Sequence, residues 1–193
     1  MNSIPKNIAS LPVSIIVGSP RSGTSMLRTM FDAHSHVSIP TEYPFIHLYY
    51  PFFGRKKFSK KDIASFLNLI QKNIKYWFWD IKRWRIQFKD LELALLAESE
   101  LDFHKAVKIL VAHFNSVFSK SDIRVLMLKE PLYTYFLPEI KKIIPEIKYI
   151  ALIRDPRAQV NSVRKKHFGS KLITANALAW HIAQKKILKF EKK

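Results

Sequence analysis

Cysteine is missing from all 193 residues. Its absence excludes disulfides, thiolate nucleophiles and cysteine-ligated zinc, and leaves the redox compartment undecided. Glycine is scarce, at four, and neither an internal repeat nor a low-complexity linker divides the chain. No uncharged apolar run reaches the roughly 20 residues of a spanning helix. Met1 to Leu11 hold one lysine and no sustained apolar stretch, a poor secretory signal, so a cytoplasmic location is expected. Acidic residues are also few: 15 Asp+Glu stand against 33 Lys+Arg, a net charge of +18. That charge suits an anionic small ligand, a polyanion or an anionic membrane surface. The lysines are spread rather than gathered, so the charge alone singles out no partner, and compositional bias explains it equally well. What is present is a 48% hydrophobic chain, long enough for one domain with a proper core and short for two.

Three short apolar runs read as buried strands: 13–17, 125–128 and 149–153. Runs this rich in Val, Ile and Leu suit a parallel sheet covered on both faces. Helical spacing begins at Thr24, with Met26, Leu27, Met30 and Phe31 on one face. Residues 43–123 read as mostly helical and aromatic, with helices at about 62–74, 76–98 and 102–119, the last opened by Asp102 as N-cap. The rings include Tyr43, Phe45, Tyr49, Tyr50, Phe52 and Phe53, then Tyr76, Trp77, Phe78, Trp79, Trp84 and Phe88. Core packing is their expected role, with an acceptor pocket or a peripheral membrane contact as alternatives. Further helices are expected at about 132–144, 156–166 and from 171. Strands alternating with helices imply right-handed parallel βαβ units. The expected fold is α/β, a P-loop-type parallel sheet flanked by helices with a helical, aromatic-rich insertion.

Gly18-x-x-x-x-Gly23-Thr24-Ser25 follows the first strand and opens the first helix. Backbone N–H groups converge on an anion in such a loop, helped by the positive end of the helix. A triphosphatase loop would carry lysine at position 24; threonine there disfavours that chemistry, and Arg21 lies inside the loop instead. A second candidate, Arg154-Asp155-Pro156-Arg157, starts where the third strand ends, with Ser162 eight residues on. Ligands of open α/β sheets bind at the carboxyl ends of the strands, so both motifs should open on one edge. Taken singly, the first motif could be a tight strand-to-helix turn and the second a strand-end ion pair.

Together these segments resemble the PAPS-dependent sulfotransferases, whose phosphosulfate loop commonly reads Pro-(Arg/Lys)-Ser-Gly-Thr-(Ser/Thr). The stretch from Arg21 to His34 is most similar to the carbohydrate and tyrosylprotein branches. The resemblance implies that Arg21 and the amides of Ser22, Gly23, Thr24 and Ser25 bind the 5′-phosphosulfate of PAPS (3′-phosphoadenylyl sulfate). It implies that Arg154 and Ser162 bind the 3′-phosphate. Lys129, directly after the second strand, would stabilise the departing phosphate; its alternative is a lysine capping a strand. Position 131, where some members carry a catalytic histidine, is proline here. Glu42 then matches the glutamate that serves as base, its alternative being a helix-start carboxylate. Trp180 echoes a family tryptophan and reads as packing. No metal is expected, because a sulfuryl group carries less charge than a phosphoryl group and no His–carboxylate spacing reads as a ligand set. The match covers 13–42 and 124–180, and the chain reads as one sulfotransferase-like domain without the family's C-terminal segment. The expected activity is sulfuryl transfer from PAPS to a hydroxyl or amine. Its rivals are a P-loop kinase or triphosphatase and a basic module on nucleic acid or anionic lipid, with no specific nucleic acid expected.

Overall fold

The β-branched run at the start of the chain pairs on both sides. A computed structural model describes residues 7–75 and 81–191. In it β1 (Val13–Gly18), β2 (Val37–Ser38), β3 (Val125–Lys129) and β4 (Lys148–Leu152) form one sheet in the order β2-β3-β1-β4. Every pairing is parallel, with Ile15 opposite both Leu128 and Tyr149. Side chains alternate across a strand, and β1 shows the result. Val13, Ile15 and Val17 enter the larger core, whereas Ile16 joins Val37, Ile39 and Met127 on the opposite face. The α/β expectation therefore holds, with a two-residue fourth strand that the sequence did not signal.

Eight helices surround the sheet among the described residues: α1 (Thr24–Asp32), α2 (Phe45–Phe53), α3 (Lys60–Lys75), α4 (Phe88–Ala97), α5 (Phe103–Ala112), α6 (Leu137–Ile143), α7 (Pro156–Arg164) and α8 (Ile173–Glu191). None of them is long and apolar enough to cross a membrane. The aromatic insertion is core. Trp84 is fully buried, edge-on to Tyr43 and Phe45 at ring-centroid distances of 6.0 and 5.9 Å, and Tyr49 and Phe53 are buried beside Phe66. Phe52, by contrast, is exposed. Tyr76, Trp77, Phe78 and Trp79 lie outside the described residues.

Several boundaries differ from those read in the sequence. The helix expected at 76–98 has its first five residues outside the described region and is otherwise broken. A 3₁₀ turn at Ile81–Trp84 is followed by Arg85 at φ 49° and extended Gln87 before α4 begins. Tertiary bonds explain the break: the Arg85 guanidinium donates to the carbonyls of Asn115 and Ser116, and the Asn115 side chain donates back to the Arg85 carbonyl. The same contacts draw the chain out of α5 after Ala112, short of the expected residue 119, while Asp102 caps its start as expected. The helix expected at 132–144 splits into a 3₁₀ turn at Pro131–Tyr135 and α6. Pro138 has no N–H for the carbonyl of residue 134 and its ring would collide with it. On α1, Leu27 and Phe31 pack on the sheet, but Met26 and Met30 are 70% and 64% exposed. The buried stripe is narrower than the apolar spacing suggested.

Candidate active site

The turn between β1 and α1 needs two glycines. Gly18 has φ 150°, and a Cβ there would lie 2.6 Å from the Leu152 carbonyl oxygen. Gly23, the N-cap of α1, is left-handed at φ 97°. Between them Arg21 also takes a positive φ of 68°, a conformation that L-residues hold only under constraint. The Ser22 N–H turns inward to the Ser19 carbonyl at 3.2 Å. Of the four amides expected to face an anion, those of Gly23, Thr24 and Ser25 thus remain at the helix start, where N–H groups have no intrahelical partner. The Thr24 side chain is largely buried, its methyl group against Gly18. The Ser22 Oγ is buried without a hydrogen-bond partner.

The two anion motifs meet. Arg21 Nε donates to Ser162 Oγ at 3.1 Å across 141 residues of sequence, and an Arg154 guanidinium nitrogen donates to the Arg21 carbonyl at 2.8 Å. Arg154 and Ser162, expected to share one phosphate, are therefore joined through Arg21. Asp155 caps α7 through the amides of Arg157 and Ala158 and pairs with the Arg157 guanidinium at 2.9 Å. That arrangement leaves Arg154 as the cation of the motif that faces the loop. Trp180, read as packing, also donates its indole N–H to the Arg154 carbonyl at 3.1 Å.

Lys129 ends β3 at the same edge, 4% exposed. Its ammonium donates to Ser25 Oγ at 2.9 Å and is paired with the Glu42 carboxylate. Burial pushes Lys129 down to about 8, opposed by Glu130 and reinforced by Arg28 and Arg21; the touching Glu42 favours the ammonium at neutral pH. Glu42 stays part-exposed, its side chain 41% accessible. Arg28 sets the segment leading to it, donating twice to the Ile39 carbonyl and to Asp32 at 2.9 Å. Asp32 also pairs with the buried Lys120 at 3.2 Å.

Next to Lys129, Glu130 is buried and pushed up to about 7, chiefly by desolvation, with the Leu132 N–H and Lys129 opposing. A folded-state value above the ordinary 4.5 means that the folded protein keeps a proton that the unfolded chain releases between pH 4.5 and 7. Stability from Glu130 is thus full below pH 4.5 and lost as pH rises towards 7, a decline on the order of 3 kcal/mol. Urea titrations across that window should show the decline in the parent protein and a flatter profile in Glu130→Gln.

The seven donor-site residues expected from sequence (Arg21, Ser22, Gly23, Thr24, Ser25, Arg154, Ser162), with Glu42 and Lys129, thus lie at the carboxyl end of β3 or on the segments that follow β1, β2 and β4. Two sets of contacts join them, Ser162–Arg21–Arg154 and Ser25–Lys129–Glu42. Sequence reading missed Arg28, Thr134, Gln159 and Gln184, which hold these segments from outside. Only the glutamines left a trace. Gln159 precedes the buried Val160, and Gln184 falls between the buried Ala183 and Ile187, so each is a polar residue inside an apolar stripe. Thr134, in a 3₁₀ turn, interrupts no pattern.

A model of the sulfotransferase family matches residues 12–192. The chain is 28% identical over 153 residues to protein-tyrosine sulfotransferase A of Caenorhabditis elegans, covering 79% of this chain and 33% of that protein. The crystal structure of sulfotransferase STF9 from Mycobacterium avium is similar over 96% of this chain and 58% of that one, at 13% identity and a TM-score of 0.44. The chain thus spans a third of the length of its curated relative. With the family match running from the residue before β1 to beyond the last residue of α8, the chain belongs to the sulfotransferase family.

Proposed function

We propose that this chain binds PAPS at the Gly18–Ser25 loop and transfers its sulfuryl group to a hydroxyl. The observation that carries the reading is the bond from Arg21 to Ser162. It joins the phosphate loop to the strand-end motif and so brings two anion-binding groups to one edge, as a donor with phosphates at both 5′ and 3′ positions requires. The buried, unpartnered Ser22 Oγ and the amides of the first turn of α1 fit a phosphosulfate oxygen. The two guanidiniums fit phosphate through charge-assisted bonds.

In this reading the residues divide the chemistry. The Glu42 carboxylate takes the proton of the acceptor hydroxyl as the new oxygen–sulfur bond forms. The Lys129 ammonium and Arg21 neutralise the charge left on the departing phosphate oxygen as its bond to sulfur breaks, an electrostatic role resembling that in phosphoryl transfer. Glu42 and Lys129 are paired with each other, so the proposed base and the proposed cation stand side by side where acceptor and donor would meet. Tyrosine-containing peptides are the acceptors to test first, in view of the C. elegans relative.

The donor half of the reading is decided by thermal denaturation with PAP and with 5′-AMP at equal concentration. Binding to the folded state alone stabilises by about 2.7 kcal/mol at a hundredfold excess over Kd. PAP is expected to raise the melting temperature well above the value with 5′-AMP. Equal shifts would refute recognition of the 3′-phosphate.

A further inference from the structure

Each of the loop's first four residues is gripped by a side chain from a different part of the chain. Thr134 Oγ1 accepts the Gly18 N–H at 2.8 Å and donates to the Gly18 carbonyl at 3.2 Å. Gln184 Nε2 donates to Ser19 Oγ at 3.1 Å, Gln159 Nε2 to the Pro20 carbonyl at 2.7 Å, and Arg154 to the Arg21 carbonyl. Thr134 and Gln184 lie outside the anion-binding motifs and Gln159 falls between Arg154 and Ser162; these three holders are 0%, 6% and 3% exposed respectively.

Their chemistry is poorly explained by helix packing alone. Gln159 Oε1 and Gln184 Oε1 are buried without a partner, and a half-satisfied buried amide costs stability that an apolar side chain of similar size would not. What the amides contribute instead is direction, because each fixes one loop atom. Thr134 has the further effect of satisfying both backbone groups of Gly18, where the chain must adopt a φ of 150°. Downstream, Arg21 is held at a positive φ and its side chain reaches Ser162. The loop makes only one backbone bond across itself, from Ser22 to Ser19, before α1 begins. Its shape therefore depends on contacts from the rest of the fold.

We propose, on the reading of this loop as the donor-phosphate cradle, that Thr134, Gln159 and Gln184 are positioning residues that hold Gly18, Ser19 and Pro20 in the anion-binding shape. They touch neither donor nor acceptor and act through the loop backbone. Preorganised N–H groups bind an anion without first losing loop entropy, so relaxing the grip weakens donor binding even where the fold survives.

The test uses Thr134→Val, Thr134→Ser, Gln159→Met and Gln184→Met in this chain, with two readouts below the melting temperature. The first is amide hydrogen exchange of the loop without ligand, and the second is the Kd for PAP by calorimetry. The valine and methionine variants should exchange loop amides at least tenfold faster, with β3 unchanged, and bind PAP at least tenfold more weakly. Thr134→Ser, which keeps the hydroxyl, should stay within about threefold of the parent in both. Variants that melt lower yet keep parental loop exchange and PAP affinity would overturn the proposal and reduce these residues to packing. If Thr134→Val fails to fold, the two glutamine variants decide the matter. A parent protein that binds no PAP would refute the donor reading; loop exchange would then still tell a held loop, faster in the variants, from an unheld one.

Discussion

Glu42→Gln is expected to lower sulfuryl turnover by about 10²- to 10⁴-fold, the usual contribution of a positioned general base, while changing the Kd for PAP by less than about threefold. Glutamine keeps the shape of the side chain but cannot take the acceptor's proton. The carboxylate is part-exposed and has Lys129 as its partner, whereas the loop is touched by Lys129 through Ser25, so donor phosphates should feel the change little. A second role is built into the same contact, because Glu42 is the partner of a buried ammonium. Lys129→Met and the double variant separate the two roles. If Glu42 serves only to hold Lys129, both single variants and the double variant lose turnover equally. If it is the base, it retains a pH-dependent effect in the Lys129→Met background. PAPS consumption with tyrosyl peptides measures all three, and turnover of Glu42→Gln within tenfold of the parent would exclude the base role. Lys129 also sets an upper pH limit. An ammonium held near 8 loses its proton above that value, so activity that depends on its charge should fall on the alkaline side.

Arg154→Ala is expected to weaken PAP by about 10- to 150-fold, the equivalent of one charge-assisted hydrogen bond of 1.5–3 kcal/mol, and to weaken 5′-AMP far less. Arg21→Ala should instead weaken both ligands alike, if Arg21 serves the 5′ end that they share. The geometry of the two arginines makes this comparison sharp. Arg21 reaches Ser162, the residue assigned to the 3′-phosphate, while Arg154 holds the Arg21 backbone. Should Arg21→Ala prove the PAP-selective variant, the two arginines exchange assignments. Ser162→Ala removes one hydroxyl and leaves every backbone bond intact, so it reports the 3′ end most cleanly. Calorimetric titration of the three variants with both nucleotides distinguishes these patterns.

The sheet was legible because strands β1, β3 and β4 are short β-branched or leucine-rich runs, each ending at a residue that breaks or caps. The loop was legible from the spacing of Gly18 and Gly23, which the turn demands sterically. Helix ends were not. Arg85 and Asn115 hold each other across 30 residues, and such a tertiary bond overrides local helix propensity without leaving a mark in either segment. Pro138 did leave a mark that the helical spacing around it concealed. In the site, Arg154, Lys129 and Glu42 were singled out by the family resemblance of their motifs, and the structure brings them to the loop or to Lys129. Thr134 could not be singled out, since a threonine in a short turn has many uses. Gln159 and Gln184 were legible only as interruptions of apolar stripes, and their partners lay far away in sequence.

The grip of α7 and α8 on the loop also orders events during synthesis. Ser19 leaves the ribosome 165 residues before Gln184, the side chain that holds it. At about 5–20 residues per second, the loop waits roughly 8–33 s with its glycines in place and its shape undefined. On the reading of this loop as the donor cradle, a nascent chain exposes it well before Gln184 can hold it. Nucleotide capture is, on that proposed reading, a late event, open only to chains in which α8 has docked.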